Sequence, residues 1–257
     1  MVAQTVTQTV TSRALRILEV FTQTHSHLSL SQISCRAELP LTTTHRLVAE
    51  LTTWGALERD ETGRYRIGLR LWELGALAPR GIGLREAALP FMEDLYEATH
   101  ENVQLAILDQ TQIVYVERIR GRGAVPVYTR PGLRFTPHAT GVGLVLLAYA
   151  SADLQQRYLA QPLRTFTHKT ISDPRHLRSA LAQIRRDGFV ISDGQVTLDA
   201  LSVAAPVRAA GHVIAALSIV VHAVRHPSPS SLTPAVVAAA KGVSRTLTRE
   251  SVTPWNS

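Results

Sequence analysis

Apolar residues recur at helical spacing near the start of the chain. Ala14, Leu15, Leu18 and Phe21 share one face of a predicted helix that Thr11 or Ser12 can cap, which leaves Arg13, Arg16 and Glu19 outward. A second helix is predicted from Ser29, where Gln32 completes a capping box and Leu28 and Ile33 take staple positions. Leu30, Ile33 and Ala37 are its inward stripe. Pro40 pushes Leu39 out of helical conformation and ends that helix, so that Thr42 or Thr43 can open a third. There Leu47, Val48 and Leu51 face inward, leaving Thr42, Thr43, His45, Arg46, Ala49 and Glu50 toward solvent. After Trp54-Gly55 the pattern shifts to strict alternation: Leu57 against Arg59, a turn at Glu61-Thr62-Gly63, then Tyr65 and Ile67 opposite Arg64 and Arg66. Helices, a tight proline-containing turn and a basic hairpin in this order predict a winged helix-turn-helix over residues 1–68, a module type that binds double-stranded DNA.

Each part has an ordinary reading, since threonines at a helix start are usually caps and a surface arginine is usually solvated. The ordered combination carries the DNA reading. Thr42, Thr43, Thr44, His45 and Arg46 in the third helix, with Arg64 and Arg66 on the wing, are the candidate contacts. Hydroxyls and helix N-terminal amides suit phosphates and base edges, and an arginine one turn in suits guanine or a phosphate.

Leu69, Leu71, Trp72, Leu74 and Leu77 predict a helix apolar on more than one face, broken by Pro79, Gly81 and Gly83. Residues 69–83 then read as a linker helix and hinge whose apolar side packs on its counterpart in a second chain, or else within its own chain. A third region, 84–257, begins with a helix from Leu84 to His100 kinked at Pro90. A hairpin follows, Val103 to Ile107 and Ile113 to Ile119 around Gln110-Thr111, and then a strand over 125–129. Thr136-Pro137 opens a helix whose first turns hold Gly141 and Gly143, so backbone amides at a positive dipole end are exposed as an anion cradle. Two glycines more often permit close helix packing. Helices over 152–160 and 173–187, a strand Val190 to Asp193, paired strands Leu201–Val207 and Val213–Val221, and a helix Ser231–Arg249 complete an α+β fold with an antiparallel sheet.

The formal charge is +7, with 27 basic residues of which only Lys169 and Lys241 are lysines. Placement matters more than the sum. Residues 1–79 hold eight arginines against seven acids, and residues 80–257 hold nineteen basic residues against thirteen acids, so bulk charge does not locate the DNA site. The dense stretch of Arg118, Arg120, Arg122, Arg130 and Arg134 reads as a solvated face or subunit contact. Cys35 is the single cysteine, which excludes an intrachain disulfide and gives it a small buried apolar role. With no signal-peptide order at the start and no apolar run of about 18 residues, the expectation is a soluble cytoplasmic protein with no membrane association.

The chain resembles the IclR family of bacterial transcription regulators. The likeness runs through Ser12-Arg13-Ala14-Leu15-Arg16-Ile17-Leu18, Leu41-Thr42-Thr43-Thr44-His45-Arg46-Leu47, Tyr65-Arg66-Ile67-Gly68, His138-Ala139-Thr140-Gly141-Val142-Gly143 and Ser202-Val203-Ala204-Ala205-Pro206-Val207. These segments fall in the family's order and span residues 11 to 249. The resemblance implies a homodimer or dimer of dimers on a pseudo-palindromic operator, with a C-terminal GAF-like domain that binds an organic-acid type of metabolite and mediates oligomerisation. By position it puts effector contacts on the amides of Gly141 and Val142 and on Asp193, Ser202 and Ser218. Asp193 would repel a carboxylate unless its backbone amide is the contact. Leu144 stands where the family usually has a lysine. For the sensing claim to hold, these five residues must line one enclosed cavity.

No catalytic arrangement accompanies this pattern. There is no nucleophile elbow, phosphate loop or His-Glu-x-x-His, and the ten histidines are scattered, so neither an enzyme, a cofactor nor a metal site is expected. The alternative is a winged-helix regulator with no small-molecule ligand that acts through protein contacts.

Overall fold

A computed structural model of the chain describes residues 9–22, 24–78, 82–127, 129–225 and 229–250. The chain divides into two compact units, Met1–Ile82 and Gly83–Ser257. No described helix is long and apolar enough to cross a membrane.

The first unit runs α1 (Val10–Glu19), α2 (Leu30–Ala37), α3 (Leu41–Trp54), β1 (Leu57–Arg59), β2 (Tyr65–Ile67) and α4 (Leu69–Gly75). Thr9, rather than Thr11 or Ser12, caps α1 by accepting from the amide of Ser12. Ile17 is therefore the wholly buried residue of α1, and Leu15 stays 54 % exposed. The Ser29–Gln32 capping box on α2 is present, and Leu28, Ile33 and Ala37 are all buried. Cys35 is exposed, contrary to expectation, because the inward stripe four residues apart is already taken by Ile33 and Ala37. The backbones of Leu28 and Tyr65 exchange hydrogen bonds of 2.9 and 2.8 Å, which ties the β1–β2 hairpin to the entry of α2.

The second unit runs α5 (Ile82–Thr99), β3 (Asn102–Asp109), β4 (Gln112–Ile119), β5 (Arg134–Phe135), a 3₁₀ turn (Pro137–Ala139), α6 (Gly141–Ala148), α7 (Ala152–Leu159), α8 (Pro174–Asp187), β6 (Val190–Asp193), β7 (Ala200–Ala209), β8 (His212–His222) and α9 (Thr233–Glu250). Its strands form one antiparallel sheet in the order β5-β4-β3-β8-β7-β6. Of the strand expected over 125–129, Tyr128 lies outside the described residues, and residues 125–127 and 129 carry no strand. Side chains hold that segment instead: Asn102 Nδ2 donates to the Val125 carbonyl at 2.9 Å, and Gln104 Nε2 to Thr129 Oγ1 at 2.8 Å. The sheet-edge pairing passes to Arg134–Phe135. Pro79 and Gly81, the expected breakers of the linker, are also outside the described residues.

Alternation along β7 and β8 splits the sheet's faces. Leu201, Val203, Leu217 and Ile219 join Met92 of α5 and Val236 of α9 in one core, while Ala204 and Ala216 join α6, Leu177 and Leu181 in the other. All eight residues of α6 are buried, as suits a helix apolar on every side. That packing presses the N-terminus of α6 against the sheet.

Candidate functional site

In the first unit, Thr42, His45, Arg46, Ala49 and Glu50 form the exposed face of α3, with Thr43 half-buried. Pro40 occupies the N-cap and no side chain caps the helix, so the first amides stay available to an anion. The expected cap by Thr42 or Thr43 is therefore absent. Thr44 does not belong to this surface: it is wholly buried and its hydroxyl donates to the Pro40 carbonyl at 3.1 Å. Its spacing to Leu47, Val48 and Leu51 turns it inward. Arg46 Nη1 is 2.6 Å from Glu50 Oε1, a surface pair that a phosphate or base can outcompete.

On the wing, Arg64 is exposed, whereas Arg66 gives both Nε and Nη2 to Glu58 Oε2 at 3.0 and 2.8 Å. The Leu69 amide, and then Arg66, hold the Glu58 carboxyl below the usual carboxylate range. Asp60 shapes the turn by accepting from the Thr62 amide, the Thr62 hydroxyl and the Arg64 amide. Sequence reading missed Arg70, whose guanidinium lies 4.5 Å from the centre of the Trp54 ring and whose Nη1 donates to the Trp54 carbonyl, bracing the end of α3 from α4.

In the second unit a cavity of about 230 Å³ lies on the α6 side of the sheet. Gly141, Val142 and Ser202 line it. Thr140 caps α6 by accepting from Gly143 N at 3.1 Å, which leaves the amides of Gly141 and Val142 as helix-end donors without an intrahelical acceptor. Gly141 is required by close approach: a Cβ there would lie 2.7 Å from Ser202 Oγ and 3.3 Å from Ala204 Cβ. The walls are mainly apolar, with Leu133, Phe135, Phe166 and Val220, and no lining residue is charged among the described residues. Burial pushes the Tyr115 phenol up, partly offset by its bond to Thr140, so it enters the cavity as a neutral hydroxyl.

The five expected contacts do not line one cavity, so the sensing claim fails in that form, and an effector reading rests on Gly141, Val142 and Ser202 with the lining residues found beside them. Asp193 is turned away, its Oδ2 2.6 Å from Lys169 Nζ, because alternation along β6 puts its neighbour Ser192 on the cavity side. Ser218 is wholly buried in β8 and does not line the cavity, although it faces the same side of the sheet as Gln104 and Ala204, its cross-strand partners. Ser192 and Gln195 supply polar lining instead, Gln195 Nε2 donating to Ser192 Oγ at 3.2 Å and Gln195 Oε1 accepting from Ile171 N at 3.3 Å. The pairing of Ser192 with Ser202 was the available signal, but it needs the β6–β7 register. Arg118 is also not a solvated residue: its Nη1 donates to the Thr129 carbonyl at 2.5 Å and Nη2 to Asn102 Oδ1 at 3.1 Å.

His138 positions the turn before α6. It is 1 % exposed, and its Nε2 donates to the Arg164 carbonyl at 2.9 Å, so the neutral ring's Nδ1 accepts from the Tyr158 hydroxyl at 2.6 Å. Burial pulls the His138 pKa down, partly offset by the Arg164 bond. A histidine with a lowered folded pKa binds its proton more readily when unfolded. Its contribution is therefore complete above the unfolded value of about 6.5 and is lost as pH falls through the folded value. Thermal melts should show stability falling more steeply below about pH 6.5 in the parent protein than in His138→Gln. Parallel pH profiles would show that this ring is not the titrating group.

Comparison with known proteins gives two family matches, the IclR helix-turn-helix domain over residues 10–61 and the bacterial transcriptional regulator IclR C-terminal domain over residues 78–245. The chain belongs to the IclR family. Among its relatives, the HTH-type transcriptional regulator XynR of Escherichia coli is 35 % identical over 80 % of this chain and 83 % of its own length, and the HTH-type transcriptional regulator BhcR of Paracoccus denitrificans is 31 % identical over 90 % and 85 %. A solved IclR homologue from Microbacterium hydrocarbonoxydans, complexed with 4-hydroxybenzoate, matches with a TM-score of 0.89 at 35 % identity, over 93 % of this chain and 99 % of that one. IclR proteins are DNA-binding transcriptional regulators and not enzymes, and this chain is one of them. Its helix-turn-helix domain and its α+β C-terminal domain with an antiparallel sheet are the two parts of that family's fold.

Proposed function

We propose that this IclR-family regulator acts in the cytoplasm as a homodimer or dimer of dimers on a pseudo-palindromic operator, under the control of a small organic acid bound in the second unit's cavity. Residues 1–68 read DNA, 69–83 link and hinge, and 84–257 bind effector and oligomerise. The observation that carries effector control is the uncharged cavity of about 230 Å³ at the N-terminus of α6. An apolar cavity of about 150 Å³ is enough for benzene, so this one has room for a single ring or short chain bearing an acid group. The amides of Gly141 and Val142 and the hydroxyl of Ser202 suit a carboxylate without a balancing cation. The relative that binds 4-hydroxybenzoate supports the same ligand class.

On the DNA side, Thr42, Thr43, His45 and Arg46 face the groove, and Arg64 with Arg66 flank a backbone. Pairing through α4 is supported by Leu69, Trp72 and Leu74, which are 62, 69 and 49 % exposed, and by Leu77 just beyond its end, 76 % exposed, a large apolar surface for so short a segment. Arg46→Ala should weaken operator binding by about 1–3 kcal/mol in fluorescence anisotropy and spare scrambled DNA. An equal loss on both DNAs would make Arg46 a phosphate contact. The effector reading is tested by calorimetric titration with benzoate, short oxo acids and sugar acids. One class should bind once per chain, and heat from none of them would remove the acid as ligand.

A further inference from the structure

The cavity is polar at two places. One is the α6 end just described. The other is Gln104 of β3 with Thr129, both of which line the cavity, Gln104 Nε2 donating to Thr129 Oγ1 at 2.8 Å. Gln104 is 3 % exposed, and among the described residues its Oε1 has no protein partner. A carboxamide has two donors and two acceptor sites, so most of this one's capacity is unspent.

The surroundings add to that. Gln104 stands directly opposite Arg118 on β4 and Ser218 on β8, so these side chains share one face and one row across three strands. Arg118 Nε and Ser218 Oγ are buried atoms without a hydrogen-bond partner among the described residues. Buried polar groups are ordinarily satisfied, and since neither Arg118 nor Ser218 lines the cavity, the unmet capacity open to a ligand there is that of Gln104. Arg118 Nη1 and Nη2 donate to the Thr129 carbonyl and to Asn102 Oδ1, so the polar atoms that this end presents to a ligand are those of Gln104 and Thr129.

The distance fits a ligand reaching both ends. Ser202 faces Val220 on β8, and Gln104 faces Ser218, two residues along the same strand. Ordinary sheet spacing then puts the backbones of Ser202 and Gln104 about 12 Å apart. One ring or short chain with a polar group at each end, hydrogen-bonded at both, fills that span.

We propose that Gln104 and Thr129 form a second subsite of the effector cavity, which takes a neutral hydroxyl of the ligand at the end opposite its acid. This makes the effector an ω- or para-hydroxy acid rather than a plain acid. A hydroxyl both donates and accepts, which is what Gln104 Oε1 and the Gln104–Thr129 pair offer. The proposal rests on the acid-binding reading of the α6 end.

The test is calorimetric titration of the full chain with matched pairs, benzoate against 4-hydroxybenzoate and hexanoate against 6-hydroxyhexanoate, with terephthalate as a two-acid control. The hydroxy acid of at least one pair should bind about tenfold or more tighter than its plain partner, and terephthalate more weakly than 4-hydroxybenzoate. Gln104→Leu, and independently Thr129→Val, should bring the pair within about twofold while the plain acid still binds, a result that a damaged fold cannot give. Plain acids binding as tightly as hydroxy acids, or a preference that survives both substitutions, would overturn the subsite and leave the acid reading standing. Terephthalate binding tightest would make this end an anion site and also overturn it. No binding by any of the five would overturn the subsite, and the acid reading would then stand or fall on the oxo and sugar acids.

Discussion

Ser202→Leu should abolish the response of operator binding to effector while leaving operator affinity in the absence of effector unchanged. Ser202 lies on β7 beneath the N-terminus of α6, where even a Cβ on Gly141 would come within 2.7 Å of its Oγ. The extra carbons of a leucine have no room toward α6, so they enter the cavity and take both the space and the hydroxyl that an acid would use. Overpacking of this kind costs about 1–3 kcal/mol, which the second unit can absorb and still fold. Operator titrations with and without effector would check it. A variant that responds normally would take Ser202 out of the effector site.

The second large effect expected is on stability. Gly143→Ala should destabilise the second unit by about 3 kcal/mol, at the upper end of overpacking effects. For a unit of this size that lowers the melting temperature by roughly 6–12 °C. An added Cβ would lie 2.2 Å from the Pro137 carbonyl oxygen and 2.4 Å from Pro137 Cα, and backbone atoms in a 3₁₀ turn cannot swing aside as a side chain would. Gly83 is the control, since nothing lies within 4 Å of a Cβ built there and its φ is not in the left-handed region. Gly83→Ala should melt no lower than the parent protein. If Gly143→Ala does so too, the turn and α6 do not approach this closely.

Much of this architecture was legible because the reading head is built from local signals. Capping box, staple, proline stop and the switch from helical to alternating period all lie within short windows of sequence. Even there one signal was overlooked: Thr44 precedes Leu47, Val48 and Leu51 at the spacing of a single helix face, and its hydroxyl obscured that placement. The cavity depends instead on register. Gly141, Val142 and Ser202 were found through the family's segment pattern, and the structure brings them together. Asp193 and Ser192 are neighbours whose roles exchange with one step along a strand, and only the pairing of β6 with β7 decides which faces inward. Gln195 lies in a loop, where no periodicity announces it. Gln104 and Arg118 were similarly illegible, because their meeting with Thr129 takes the place of the strand expected over 125–129.

The central claim is that an acid in this cavity changes how the winged helix holds DNA. Its most direct test is fluorescence anisotropy of the purified protein on its own upstream intergenic DNA beside scrambled DNA of equal length, at two salt concentrations, with and without an acid shown to bind. The account expects tighter binding to the intergenic DNA at both salts, and an acid-dependent shift in that affinity. Equal binding to both DNAs that collapses at higher salt, or an intergenic affinity that a bound acid leaves unchanged, would contradict it.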